Sequence, residues 1–193
     1  MSPFIRGTIR ALVLLRGESW HVVAMKIRKA KKSDSSSLAA LSIEVWVGTY
    51  LKRGVNAVFA EFALTEFTPE KMAARIADAA RFVLVSENDE GVDGFIEVSR
   101  RRQAPVSGGP KTELSTFYVQ PRHHGKGIGT GLLNAAFQHC REDGIHAIWL
   151  ATNAGNDPAI AFYLGHGFEK IGETQFMIGQ DGYLNNVYAK DLS

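Results

Sequence analysis

The chain of 193 residues holds a single cysteine, Cys140. That excludes an internal disulfide framework and suits a reducing compartment. Cys140 falls at an apolar position of a helical pattern, which favours a packed, inert thiol over a nucleophile. An excess of either charge is also missing: 22 Lys and Arg against 20 Asp and Glu leave a formal +2. So small a surplus gives no argument for a nucleic-acid partner, and the basic run KIRKAKK at 26–32 reads as a solvated strand end. No apolar run approaches the roughly 18 residues of a membrane span. The ALVLL patch near the start falls short of the ~7–15 residues of a signal-peptide core. No membrane partner is expected, and cytoplasmic is the default location. The six histidines, His21, His123, His124, His139, His146 and His166, lack ligand spacing such as H-x-x-x-H, so no metal is expected.

What is present, 45% hydrophobic and 22% charged residues, suits one globular domain with a sizeable core. Residues 1–24, with apolar residues interrupted by glycine, arginine and serine, read as an extension that is partly disordered or packed on the surface. The domain is expected over 25–193. Val22 to Arg28 alternates as a strand, and Ser33 or Asp34 can cap a helix carrying Leu38, Leu41, Val45 and Trp46. Residues 50–67 are aromatic-rich and read as irregular. Thr68 caps a further helix, with Pro69 in its first turn, running to about Ala79. RFVLVSE at 81–87 and GFIEVSRRR at 94–102 form a hairpin. ELSTFYV at 113–119 is a strand in which Glu113, Ser115, Phe117 and Val119 are expected on one face. A helix opens at Ile128 and ends near Gly144. IHAIWLA is a strand, Asn156-Asp157-Pro158 caps a short helix through Leu164, and two strands from Gly167 close the chain as a hairpin.

The stretch FYVQPRHHGKGIGTGLL at 117–133 carries the most chemistry. A strand ends at Pro121, a basic glycine-dense turn follows, and a helix begins. Orphan amides and the positive end of a helix dipole then face one point, which attracts phosphate. The dinucleotide fingerprint G-x-G-x-x-G fails from Gly125, Gly127 or Gly129. The nucleoside-triphosphate loop fails because Gln120 stands at its first glycine and Gly127 replaces its Ser or Thr.

Val119-Gln120-Pro121, then Gly125-Lys126-Gly127-Ile128-Gly129, then Asn156 and Tyr163-x-x-x-Gly167-Phe168 together resemble the GCN5-related N-acetyltransferases. The resemblance runs from about Met25 to Leu192. Arg122-x-x-Gly125-x-Gly127 fits the family turn formally, but spacing from Val119 sets it at His124-x-x-Gly127-x-Gly129, with His124 where Arg or Gln is usual. The resemblance implies an α/β (α+β) fold. Its central sheet would be mixed and mostly antiparallel, of about seven strands with about four helices, splayed between the fourth and fifth strands. It also implies acetyl-coenzyme A as co-substrate. The turn residues His124, Gly125, Lys126, Gly127, Ile128, Gly129 and Thr130 would hold its pyrophosphate, with Lys126 and Arg122 supplying charge. The backbone of Phe117, Tyr118 and Val119 would pair with the pantetheine arm and polarise the thioester carbonyl. Asn156 would contact the coenzyme, act as a plain helix cap, or do both.

Transfer to an amine needs the neutral amine, about one molecule in a thousand at pH 7 for an alkylamine of pKa near 10.4. The position that carries a basic glutamate after the fifth strand in some relatives is Ala151 here. Other relatives place it six residues ahead of the V of V-x-P, which is Glu113; a solvated or ion-paired strand glutamate is the competing role. Tyr163 matches the family tyrosine that protonates the leaving thiolate, and equally suits an aromatic packing anchor. Trp46, Tyr50 and Phe67, with Phe176, Tyr183 and Asn186, stand as acceptor walls or as core. The segment IEVWVGTY looks like that of many small-amine acetyltransferases, so the expected acceptor is a small amine or a peptide amine attacking directly in a ternary complex. A homodimer is left open. The alternative is an acyl-CoA-binding sensor of the same fold, favoured by Ala151 and His124 and opposed by Glu113 and Tyr163.

Overall fold

The computed structural model describes residues 9–10, 24–51 and 53–193. Among the described residues seven strands of six residues or more make up the body of the sheet: β1 (Ala24–Lys29), β2 (Arg81–Asn88), β3 (Gly91–Arg100), β4 (Thr112–Val119), β5 (Ala147–Asn153), β6 (Glu169–Ile178) and β7 (Asp181–Asp191). Five α-helices accompany them among the described residues: α1 (Ser35–Tyr50), α2 (Ala57–Glu66), α3 (Pro69–Ala77), α4 (Ile128–Glu142) and α5 (Asp157–Gly165). The strand order is β1-β2-β3-β4-β5-β7-β6, and a two-residue strand, Ile9–Arg10, pairs with Met25 and Ala24 at the outer edge. Every neighbouring pair is antiparallel except β4 and β5. The expected extension over 1–24 otherwise lies outside the described residues, as do the first two residues of the strand expected from Val22.

The helices follow local chemistry with two exceptions. The Thr68 side chain accepts from the Lys71 amide and Asn156 from that of Ala159, so both caps form as their sequences suggest. Asp34 does stand at the N-cap of α1, but its carboxylate makes no cap bond to that helix. It turns back to the Arg28 guanidinium in a bidentate pair at 2.7 and 3.0 Å and accepts from the Lys31 amide. The charged partner outcompetes a neutral amide.

The stretch expected to be irregular is instead helix α2, the fifth helix. AVFAEFALTE is apolar nearly all round, leaving Val58 and Leu64 more than half exposed, so no amphipathic period marks it. Tertiary packing holds it in place: Phe62 stacks on Trp46 at 5.0 Å, Phe59 lies tilted against it at 5.3 Å, and Asn56 caps the Phe59 amide.

The sheet separates two cores. Ile96, Val98, Leu114 and Ile148 pack under α4 and α5 with Leu132, Phe137 and Phe168; Val83, Val85 and Phe95 pack under α1–α3 with Leu38, Trp46 and Met72. A bulge in β4 decides which side chains reach which core. Glu97 pairs with Thr116 but Val98 pairs with Leu114, so Ser115 is the extra residue. The face shared by Glu113 and Ser115 therefore does not continue to Phe117 and Val119. These two turn to the α4 side with Leu114, while Ser115 hydrogen-bonds Glu113 on the α3 side. An inserted residue reverses the alternation beyond it.

Candidate active site

Strands β4 and β5 meet at one register pair, Glu113 opposite Trp149. Beyond it the two diverge, and the edge of residues 114–119 that faces β5 has no strand partner among the described residues, while the other edge stays paired to β3. An unpaired edge inside a sheet is a ready rail for an extended ligand with amide groups.

The rail delivers the chain into the glycine turn. Pro121–His123 forms a single 3-10 turn, Gly125 and Gly127 take φ of 74° and 81°, and Gly127 is the N-cap of α4. With no side chain at the cap, the first-turn amides of α4 have no side-chain acceptor among the described residues and suit an anion. A Cβ on Gly129 would lie 3.4 Å from the Phe162 ring, so the first turn of α4 sits beside α5. His124 directs Nε2 to the Val119 carbonyl oxygen at 3.0 Å and closes the turn on itself. Lys126 reaches His123 at 3.2 Å. Arg122 donates to Glu44 of α1 at 2.8 Å, and Gln120 donates to the other oxygen of that carboxylate at 2.9 Å. Glu44, held below the usual carboxylate range first by Arg122 and then by Gln120, was not singled out by the sequence, since nothing in its spacing ties α1 to the turn.

Glu113 and Tyr163 approach the gap from opposite layers. Glu113 Oε2 accepts from Ser115 Oγ at 3.0 Å and from Arg102 Nε at 3.3 Å; Ser115 is itself 2.7 Å from Ser99 Oγ. Tyr163 packs among Phe117, Phe162 and Phe168. Burial pushes its phenol far above the ordinary value, and the nearby Tyr50 phenol adds to the rise. Tyr118 is raised likewise, by burial first and then by Tyr50, with Arg75, Tyr163 and Glu66 also close enough to act on it.

A gap-bearing sheet, an open rail and a bare helix N-terminus are what the acetyltransferase resemblance implied. The model of the Acetyltransferase (GNAT) family matches residues 51–168. The chain belongs to this GNAT family. An uncharacterized N-acetyltransferase of Mycobacterium bovis is 26% identical over 160 residues, covering 83% of this chain and 99% of its own. Among solved structures, the PaiA N-acetyltransferase of Thermoplasma acidophilum, in complex with coenzyme A, superposes with a TM-score of 0.72 at 22% identity, over 87% of this chain and 99% of its own. A spermidine/spermine N-acetyltransferase of Vibrio cholerae gives 0.60 at 20% identity, over 88% and 93%. These two similarities bear on the fold alone.

On the α1–α3 side of this GNAT sheet the aromatic residues gather as one cluster. Trp46 is its buried hub, contacting Tyr50, Phe59, Phe62 and Phe67; Phe176 and Tyr183 of the last hairpin close on Phe62 and Phe59. Phe67 is buried, Phe176 is partly exposed, and Asn186 lies 3.5 Å from the Tyr188 hydroxyl rather than in the ring cluster. Phe59 and Phe62, from the aromatic-rich stretch read as irregular, join the expected residues in this cluster, and their i, i+3 spacing is the sequence signal that pairs them on α2. Ala151 lies with Trp149 and Val187 under the 101–111 loop, with Arg102 O accepting from Trp149 Nε1 at 2.6 Å. No helix among the described residues is long and apolar enough to cross a membrane.

Proposed function

We propose that this GNAT protein moves an acetyl group from acetyl-coenzyme A to a primary amine by direct attack in a ternary complex. The observation that carries the proposal is the parting of β4 from β5 beyond Glu113 and Trp149, which leaves a rail that ends at a bare helix N-terminus. The chain's own groups suit the coenzyme: amides from His124 to Thr130 for the pyrophosphate, the backbone of Phe117, Tyr118 and Val119 for the pantetheine, and Asn156, the N-cap of α5, as a further contact. The coenzyme supplies an acyl group activated as a thioester.

Glu113 takes the proton of the acceptor ammonium, directly or through a water, and so generates the nucleophile. Its Oε2 is held by Arg102 and Ser115, and Oε1 has no partner among the described residues. Backbone amides of β4 stabilise the negative charge that develops on the carbonyl oxygen. Tyr163, kept protonated by its burial, donates to the departing thiolate. Trp46, Tyr50 and Phe176 form the apolar side of the acceptor site.

A thiol-release assay with acetyl-coenzyme A and a panel of amines tests this, with wild type set beside Glu113→Gln and Tyr163→Phe. Coenzyme binding without thiol release on any amine supports the sensor alternative, which Ala151 favours. Failure of acetyl-coenzyme A to shift the melting temperature would sink both.

A further inference from the structure

A polar cleft of about 450 Å³ lies on the α3 side of the sheet, lined by Glu66, Lys71, Arg75, Arg81, Glu97, Arg102, Glu113 and Ser115. It opens where β4 and β5 part, since Glu113 stands at their meeting point and Ser115 just beyond. Its acids are almost wholly committed. Glu97, only 1% exposed, has one oxygen on Arg81 and the other 3.6 Å from Arg75. Glu66 has one oxygen on Arg75 and the other 2.8 Å from Lys71. A second ammonium on an acceptor would find no open carboxylate here.

Arg102 differs from the other cations. Its backbone is fixed on both sides: the amide donates to Lys111 O at 2.9 Å, and the carbonyl accepts from Trp149 Nε1 at 2.6 Å. Its side chain is 64% exposed and touches Glu113 only through Nε, at 3.3 Å, leaving both Nη groups without a side-chain partner among the described residues. A planar guanidinium whose Nη1–Nη2 edge is free matches a carboxylate bidentately. The Arg102–Glu113 pair is thus a plus-minus template at the mouth of the gap.

We infer that the acceptor is an amino carboxylate, an amine with a carboxylate on the same or a neighbouring carbon, and that Arg102 binds that carboxylate; this rests on the transferase function proposed above. An incoming ammonium displaces Arg102 from the long contact with Glu113. The carboxylate of the same molecule then takes the freed guanidinium, so neither charge of the template is left alone. Once Glu113 has accepted the amine proton, only the substrate carboxylate still neutralises Arg102. A simple amine leaves the guanidinium to solvent, and a polyamine adds a cation beside it.

The test compares L-phenylalanine with 2-phenylethylamine, which differ only in the carboxylate, and with spermidine, in thiol-release kinetics on wild type, Arg102→Gln and Arg102→Lys. Wild type is expected to use phenylalanine with a kcat/KM at least tenfold above that for phenylethylamine. Arg102→Gln brings the ratio toward one, mainly through the KM for phenylalanine, and Arg102→Lys restores part of it. Comparing ratios between variants cancels the different basicities of the two amines. Equal ratios in wild type and Arg102→Gln, or a wild-type preference for phenylethylamine or spermidine, would overturn the assignment while leaving transferase activity standing. Absence of thiol release with every amine overturns both.

Discussion

His166 Nε2 lies 3.1 Å from Thr130 Oγ1, tying the end of α5 to the first turn of α4. The Phe162 carbonyl, 2.7 Å from His166 Nδ1, accepts a hydrogen bond from that N–H, which leaves Nε2 to accept from the threonine hydroxyl. One side chain thus links the helix whose N-terminus faces the proposed pyrophosphate to the helix that carries Tyr163. His166→Ala and Thr130→Val should each weaken coenzyme A binding by roughly two- to tenfold, the range of one net hydrogen bond. Calorimetric titration with coenzyme A checks this; an unchanged Kd in both variants would show that the link is only a packing contact.

Tyr163→Phe isolates the hydroxyl from the ring. The ring contacts with Phe117, Phe162 and Phe168 survive the change, so the melting temperature should hardly move. The thiolate leaves with a conjugate-acid pKa near 8.5, so it departs with moderate help. kcat should fall roughly ten- to a hundredfold. A full-rate Tyr163→Phe enzyme would reduce Tyr163 to an anchor.

The contrast between α4 and α2 shows what sequence can carry. Helix α4 was legible because Ile128, Leu132, Leu133, Ala136, Phe137 and Cys140 repeat on one face and glycines bracket both ends. Helix α2 was not, because its residues are chosen by rings on α1 and the last hairpin rather than by a period of its own. The bulge at Ser115 was invisible for a related reason: it is a relation between two strands, and alternation along β4 alone predicts the wrong face for Phe117. The glycine turn could be read because its chemistry lies in the backbone. The partners that hold its charges, such as Glu44 for Arg122, come from 78 positions away.

Asp34 gives the fold a pH dependence at the acid end. Arg28, followed by the Lys31 amide, holds its carboxyl below the ordinary 3.8 despite the opposing effect of burial. Above that ordinary value the residue is ionised whether the chain is folded or not, and the stabilisation is fully present. As pH falls below it, the unfolded chain takes up a proton that the folded one refuses, and the stabilisation is gone once pH passes the lowered folded value. Asp34→Asn should therefore cost about 1.5–3 kcal/mol at pH 7 and progressively less below pH ~4. Urea melts of both proteins at several pH values check this; a constant difference would mean the loss is steric.

Cys140 offers a readout of core integrity. Its thiol is fully buried in the α4 layer, and burial, with Asp143 nearby, pushes its pKa up to about 12. Only the thiolate reacts with disulfide reagents. At pH 8 a free cysteine of pKa near 8.5 is roughly a quarter ionised, against roughly one part in ten thousand here. Native protein should thus react with an aromatic disulfide about a thousandfold more slowly than the urea-unfolded chain. Coenzyme A, binding at the far end of the same helix, should slow it further only if the thiol reacts through opening of α4. A fast native reaction, insensitive to coenzyme A, would place the thiol at the surface and contradict the packing of α4 against the sheet.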